Sequence, residues 1–175
     1  MYLWFRFIFV FVSALFRSRI PANGKSVISL IVFPNDVDVI RVSNGRYPSY
    51  MDLGRIDLLI RQGYFFKAIK KGYYPVVAGQ VLRYKRSLRL FQRFEVHSRF
   101  LHCGEKWSYL EHKIFHSEKL IAIGIVKGLF SGPAGKLSPQ QMFELGNTEL
   151  DALPNAETLT DLYENLAMSM DPAEG

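Results

Sequence analysis

Cysteine is almost absent from this chain: Cys103 is the only one in 175 residues. No internal disulfide and no cysteine-rich metal site can form, which fits a reducing compartment. The four histidines, His97, His102, His112 and His116, do not fall at metal-ligand spacing, so no metal is expected and they read as surface or strand-pairing residues. There is no glycine-rich phosphate loop and no internal repeat. Base is missing from one end: all 22 Lys and Arg lie at or before Lys136. Residues 144–175 therefore carry 8 acids and no base, whereas residues 1–143 carry the other 8 acids and every base. The acidic tail reads as a weakly amphipathic helix with a frayed, solvated end, although packing on the basic body is the other reading. Nucleic acid is not an expected partner of that body, because aromatics are not interleaved with the bases in a stacking pattern.

A long apolar run is missing too. Met1 to Phe16 is apolar apart from Arg6 and Ser13, but a membrane span needs ~20 such residues. A secretory signal would place its charges before the apolar core and a small-x-small site after it; here Arg17, Arg19 and Lys25 follow. Two readings stand level: an interfacial anchor whose basic flank meets anionic lipid, or a helix packed on the domain or at a subunit interface. A cleaved signal ranks third.

What the chain does have is apolar residues, 49% of the total with 14 Phe, enough for one globular domain. Residues 1–25 form the apolar segment with its basic flank, 26–145 the domain, and 146–175 the acidic tail. Ser26 to Phe33 is rich in β-branched residues and stops at Pro34, so it reads as a strand. From Gly45 or Arg46 apolar residues recur at helical spacing to about Arg61, with Gly63 as the stop. Tyr64 to Tyr74 reads as a short basic helix or loop. Val76–Leu90, Phe94–Cys103, Lys106–His116 and Leu120–Phe130 read as long strands, the last two joined by a turn at His116–Lys119. Gly132–Gly135 closes the sheet, and Ser138 caps a short helix that starts with Pro139. Strand, long helix, then successive strands predict an α+β domain with the helix packed on one face of an antiparallel sheet.

The densest motif runs Pro34-Asn35-Asp36-Val37-Asp38, then Ser43-Asn44-Gly45-Arg46-Tyr47, then Tyr50-Met51-Asp52-Leu53-Gly54-Arg55. With Phe91–Glu95, Glu105–His112 and Val126–Phe130 in the same order, it resembles the hotdog-fold acyl-CoA thioesterases, in particular the thioesterase-superfamily-member-6-like group. The likeness covers most of residues 1–145. It implies a long central helix wrapped by a curved antiparallel sheet, and hydrolysis of an acyl-CoA to free acid and coenzyme A without a cofactor. It further implies a homodimer with two sheets side by side and the acyl tunnel between subunits, or a tetramer built from it, and a cytoplasmic location unless the N-terminal segment holds it to a membrane.

Related thioesterases carry Asp-x-Asp, a short loop, then His-Met-Asn-Asn-Gly-Arg-Tyr. Here Asn44 stands at the second Asn, Ser43 at the first, Val42 at the Met and Arg41 at the His, and the loop after Asp38 is one residue shorter. Asp38 matches the acid that acts as base or nucleophile, and the amides from Asn44 to Tyr47 would hold the oxyanion at the positive end of the helix. The bland reading is that Asp36, Asp38 and Asn44 shape a turn and cap the helix. Arg41 either pairs with Asp38 or binds a substrate anion. Gly45, Arg46 and Tyr47 complete the expected substrate contacts. Arg83, Lys85 and Arg89, alternating with Ser87 along one strand face, would hold the coenzyme A phosphates, or form a solvated edge. A non-catalytic acyl-CoA or lipid-binding protein at the membrane is the alternative function, favoured by the missing His.

Overall fold

The computed structural model describes residues 2–146 together with Asp161 and Tyr163. Its elements run α1 (Tyr2–Phe16), β1 (Ser26–Ile31), α2 (Arg46–Arg61), α3 (Tyr64–Lys70), β2 (Tyr74–Tyr84), β3 (Arg93–Cys103), β4 (Ser108–His116), β5 (Lys119–Gly132), β6 (Gly135–Leu137) and α4 (Pro139–Gly146). The strands form one antiparallel sheet in the order β1-β3-β4-β5-β2, with β6 on the end of β5.

The local signals explain most boundaries. Gly63 takes φ +83°, the left-handed conformation that ends α2 and opens α3. Ser117 and Glu118, at φ 47° and 64°, make the tight turn between β4 and β5. Ser138 Oγ accepts from Gln141 N–H at 3.2 Å while Gln141 Oε1 accepts from Ser138 N–H at 3.0 Å, a reciprocal cap on α4.

Two expectations need correction. The strand expected over Val76–Leu90 ends at Tyr84, because the amides of Lys85 and Arg86 both turn to Ile121 O and leave the ladder. Lys85 and Arg89 therefore do not share a strand face with Arg83. The glycine-rich segment 132–135, expected to close the sheet, is instead a hairpin into the short β6.

α2 fills the hollow of the sheet. Tyr47, Tyr50, Met51, Leu53, Leu58 and Leu59 are buried along it. One end packs with Ile28, Leu30, Phe94 and Val96, the other with Phe100, Leu110, Phe130 and Phe143. The helix comes close because Gly54 faces β3: a Cβ there would collide with Ser98 Oγ and lie 2.9 Å from Val96 Cγ1. On the other face of the sheet Leu101 and Tyr109 pack with Tyr163, so the acidic tail touches the body at that residue; the rest of the expected tail helix lies outside the described residues.

α1 lies against α2 and is held by two buried carboxylates. Arg6 grips Asp36 at 2.9 and 2.6 Å, and Arg17 reaches Asp57 at 3.2 Å. Asp57 also accepts from Ser26 Oγ and pairs with Arg61 one turn along α2. Among the described residues, no helix is long and apolar enough to cross a membrane.

His112, expected at the surface or in a strand pair, does face its cross-strand partner Ser98, but in the core, with Nδ1 2.8 Å from Ser98 Oγ. Burial, with the Arg55 charge adding to it, holds its pKa down to about 3 from 6.5. Below pH 6.5 the unfolded chain takes up a proton that the folded chain refuses. This residue's contribution is therefore complete above pH 6.5 and is lost on the way down to pH 3. Going from pH 7 to 5 should cost about 2 kcal/mol through His112, and denaturant titrations of His112→Gln should lack that part of the pH slope. Gly54→Ala should lower stability by about 1–3 kcal/mol, read as a drop in Tm.

Candidate functional site around Asp38 and the start of the central helix

The chain leaves β1 through a 3-10 turn at Pro34–Asp36 that carries Asp36 inward, 1% exposed, and Asp38 outward. Asp36 is the structural acid. Besides Arg6, its carboxylate accepts from Phe33 N–H at 2.8 Å, and its carbonyl accepts from Ser43 N–H at 3.0 Å. The Arg6 guanidinium also lies 4.7 Å from the Phe33 ring centre and 5.4 Å from that of Tyr50. Burial and the nearby Asp36 charge both push the Tyr50 hydroxyl's pKa well up.

Residues 37–42 form a small hairpin. Val37 pairs with Val42, and Asp38 N–H donates to Arg41 O at 3.2 Å across a tip that exposes Val39 and Ile40. The segment after β2 braces it: Val42 N–H donates to Leu88 O at 3.0 Å and Arg41 pairs in ladder fashion with Arg89. Leu88 N–H in turn donates to Tyr47 Oη at 3.1 Å. Tyr47, expected to touch substrate, is thus buried in the core, and that burial raises its pKa.

Asp38 is exposed and stands between two open hollows. One, of about 530 Å³, is lined by Asp38, Arg41, Ser43, Asn44 and Ser87 among others. The other, of about 430 Å³, is lined by Pro34, Val37, Asp38, Arg89 and Leu90 among others. Among the described residues neither Asp38 nor Arg41 enters an ion pair, so Arg41 does not lock the carboxylate. The expectation that all the amides from Asn44 to Tyr47 are open is corrected. Arg46 N–H donates to Ser43 O and Tyr47 N–H to Asn44 O, which leaves the amides of Asn44 and Gly45 without an acceptor among the described residues. Gly45 is exposed and a Cβ there would meet nothing, so its glycine is not demanded by space. The Arg46 guanidinium donates to Asn35 O at 2.9 Å and steadies the loop. Arg83 and Lys85 are exposed and line neither hollow, whereas Arg41 and Arg89 each line one.

Against this geometry the comparisons are consistent. The profile of the Thioesterase-like superfamily matches residues 32–138, from the end of β1 to the cap of α4. The chain belongs to that superfamily. Protein THEM6 of Xenopus laevis is 37% identical over 84 residues, which is 47% of this chain and 41% of that protein, so the chain spans less than half of that relative's length. A probable thioesterase from Escherichia coli superposes with a TM-score of 0.63 at 18% identity, over 70% of this chain and 98% of its own. The DHNA-CoA thioesterase of Staphylococcus aureus does so with 0.61 at 13% identity, over 82% and 91%. At those identities the likeness is one of fold, and the fold is the hotdog: a curled antiparallel sheet around a central helix.

Sequence reasoning singled out Asp38 but missed Arg6 as the partner of Asp36, and missed the buried set Asp57, Ser26, Arg17 and Arg61. A lone arginine in an apolar helix was the signal for the first. Asp57 beside Leu58 and Leu59, one turn before Arg61, was the signal for the second. Cys103 is buried, its thiol pushed up to about 12 by burial, and is no nucleophile. Tyr47→Phe should leave the Leu88 amide unpaired, costing about 1–3 kcal/mol by chemical denaturation while keeping the fold by circular dichroism.

Proposed function

We propose that this protein is an acyl-CoA thioesterase that hydrolyses the thioester to a free acid and coenzyme A, with Asp38 as its catalytic carboxylate. One observation carries the reading: Asp38, exposed and without an ion pair among the described residues, lines the same hollow as Asn44, at the start of α2 where two amides lack acceptors among those residues. The thioester carbonyl carbon sits over Asp38 with its oxygen toward the Asn44 and Gly45 amides. As the carbonyl oxygen gains negative charge, these amides and the positive helix end stabilise it.

Two routes use the same groups. As a base, Asp38 takes a proton from water while the water oxygen bonds to the carbonyl carbon; the C–S bond then breaks and the thiolate leaves with that proton. As a nucleophile, the Asp38 carboxylate bonds to the carbon and expels the thiolate, and water hydrolyses the resulting anhydride. Arg41 and Arg89, on neighbouring backbone segments, would meet the coenzyme A phosphates, a reading supported by their bridge and by their lining the two hollows beside Asp38, with Arg46 serving the loop. Arg83 and Lys85 fall to the solvated edge. No metal or organic cofactor is needed. β2 is an edge strand of the sheet, which supports a homodimer formed by joining two sheets along it, with the acyl chain between subunits.

The second reading, a non-catalytic acyl-CoA-binding protein, rests on Arg41 in place of the relatives' His. Release of free thiol from short, long and aromatic acyl-CoAs separates the two. The enzyme reading expects turnover that falls at least a hundredfold in Asp38→Asn, with acyl-CoA binding kept, and an Arg41→His variant that holds or gains rate. Binding without turnover in both the wild type and Arg41→His would sink it.

A further inference from the structure

The outward face of α1 is apolar. Arg6, Val10 and Ala14 are buried against the body. Opposite them Trp4, Phe5, Ile8, Phe9, Val12, Leu15 and Phe16 are exposed, Phe16 at 86%. At 3.6 residues per turn these seven fall within an arc of about 140°, centred away from the buried three. The surface does not stop at one helix. The Phe11 ring lies 6.0 Å from Phe65 and 5.7 Å from Phe66, which brings α3 alongside with Phe66 and Ile69 exposed. On the other flank an apolar groove of about 560 Å³ between Phe5, Phe9, Leu30 and Phe33 ends at Arg93.

The charges around this plate are mostly cationic; the exposed Glu95 lies across from Ser29 at the groove wall and is paired with His97. Lys67 and Lys70 lie on α3, Lys71 follows it and Arg93 lines the groove; none of them enters an ion pair among the described residues. Neither α1 nor α3 contains an acid, and the nearest in sequence to α1, Asp36, is buried under Arg6.

We infer that the α1–α3 face docks on the surface of an anionic lipid bilayer, with both helices lying in the interface. An aromatic plate with a mainly cationic rim is complementary to acyl chains below a layer of anionic headgroups. A second copy packed on the same patch by two-fold symmetry would bring one cationic rim against another. The described helix α1, 15 residues and about 22 Å long, is shorter than a hydrocarbon core of about 30 Å, which suits lying in the interface. Upright insertion is also opposed by the clamp of Arg6 on Asp36, which keeps the inner face of α1 on the domain. The inference uses none of Asp38, Arg41 or Asn44 and holds whether or not the protein turns over a thioester.

The test is co-sedimentation of the full chain with phosphatidylcholine vesicles, with and without phosphatidylserine, while following Trp4 fluorescence. Docking predicts binding to the phosphatidylserine vesicles, weakened by salt, with a blue shift that Trp4→Phe removes. Phe5→Ser/Phe9→Ser should abolish binding, and Lys70→Gln/Lys71→Gln should weaken it on the order of tenfold, both with an unchanged melting temperature. Absence of binding, or binding indifferent to both double variants, would overturn the inference. Concentration-dependent self-association without lipid, lost in Phe5→Ser/Phe9→Ser, would assign the face to a second copy instead.

Discussion

A carboxylate sealed from water has to be paired, and this fold seals two. Asp36 and Asp57, at 1% and 0% exposure, each take an arginine from the N-terminal segment, Arg6 and Arg17. Removing Arg6 leaves the Asp36 charge buried and costs about 3–5 kcal/mol, far more than any surface ion pair, whereas Asp57 would keep Arg61 if Arg17 were lost. Those clamps make α1 a structural member of the domain. Through Asp36 they also fix the turn that throws Asp38 outward. The position of the candidate catalytic acid is thus set by an arginine thirty residues earlier.

From that constraint the site follows in steps. Asp36 holds both Phe33 N–H and Ser43 N–H, which fixes the neck of the 37–42 hairpin. Leu88 braces the hairpin from outside, and Tyr47 satisfies the Leu88 amide from the first turn of α2. The start of the helix, the hairpin and the segment after β2 are therefore one hydrogen-bonded unit. Asp38, Arg41 and Arg89 join it through their backbones only, and their side chains, like the amides of Asn44 and Gly45, take no part in it among the described residues.

Much of the fold was legible because its signals are local. The bounds of α2 follow from apolar spacing and Gly63, the β4–β5 turn from its position between two alternating runs, and α4 from Ser138 and Pro139. The misplaced end of β2 shows where local reading fails. Arg83, Lys85, Ser87 and Arg89 alternate as a strand would, yet beyond Tyr84 the amides of Lys85 and Arg86 converge on Ile121 O and the ladder ends. Leu88 is drawn into the core instead. Likewise His112 looks like a surface residue by type, and only its register opposite Ser98 buries it.

The sequence by itself determined the α+β layout, the loop that carries Asp38 ahead of α2, and the family likeness of that loop, because periodicity, capping and turn chemistry act over a few residues. Tertiary structure alone decided that Asp36 and not Asp38 is the buried acid, that Arg41 neighbours Arg89 rather than pairing with Asp38, and which face of α1 turns outward. Each depends on groups 30 to 50 residues apart meeting in a space from which water is excluded or to which it is admitted, and no local pattern encodes that.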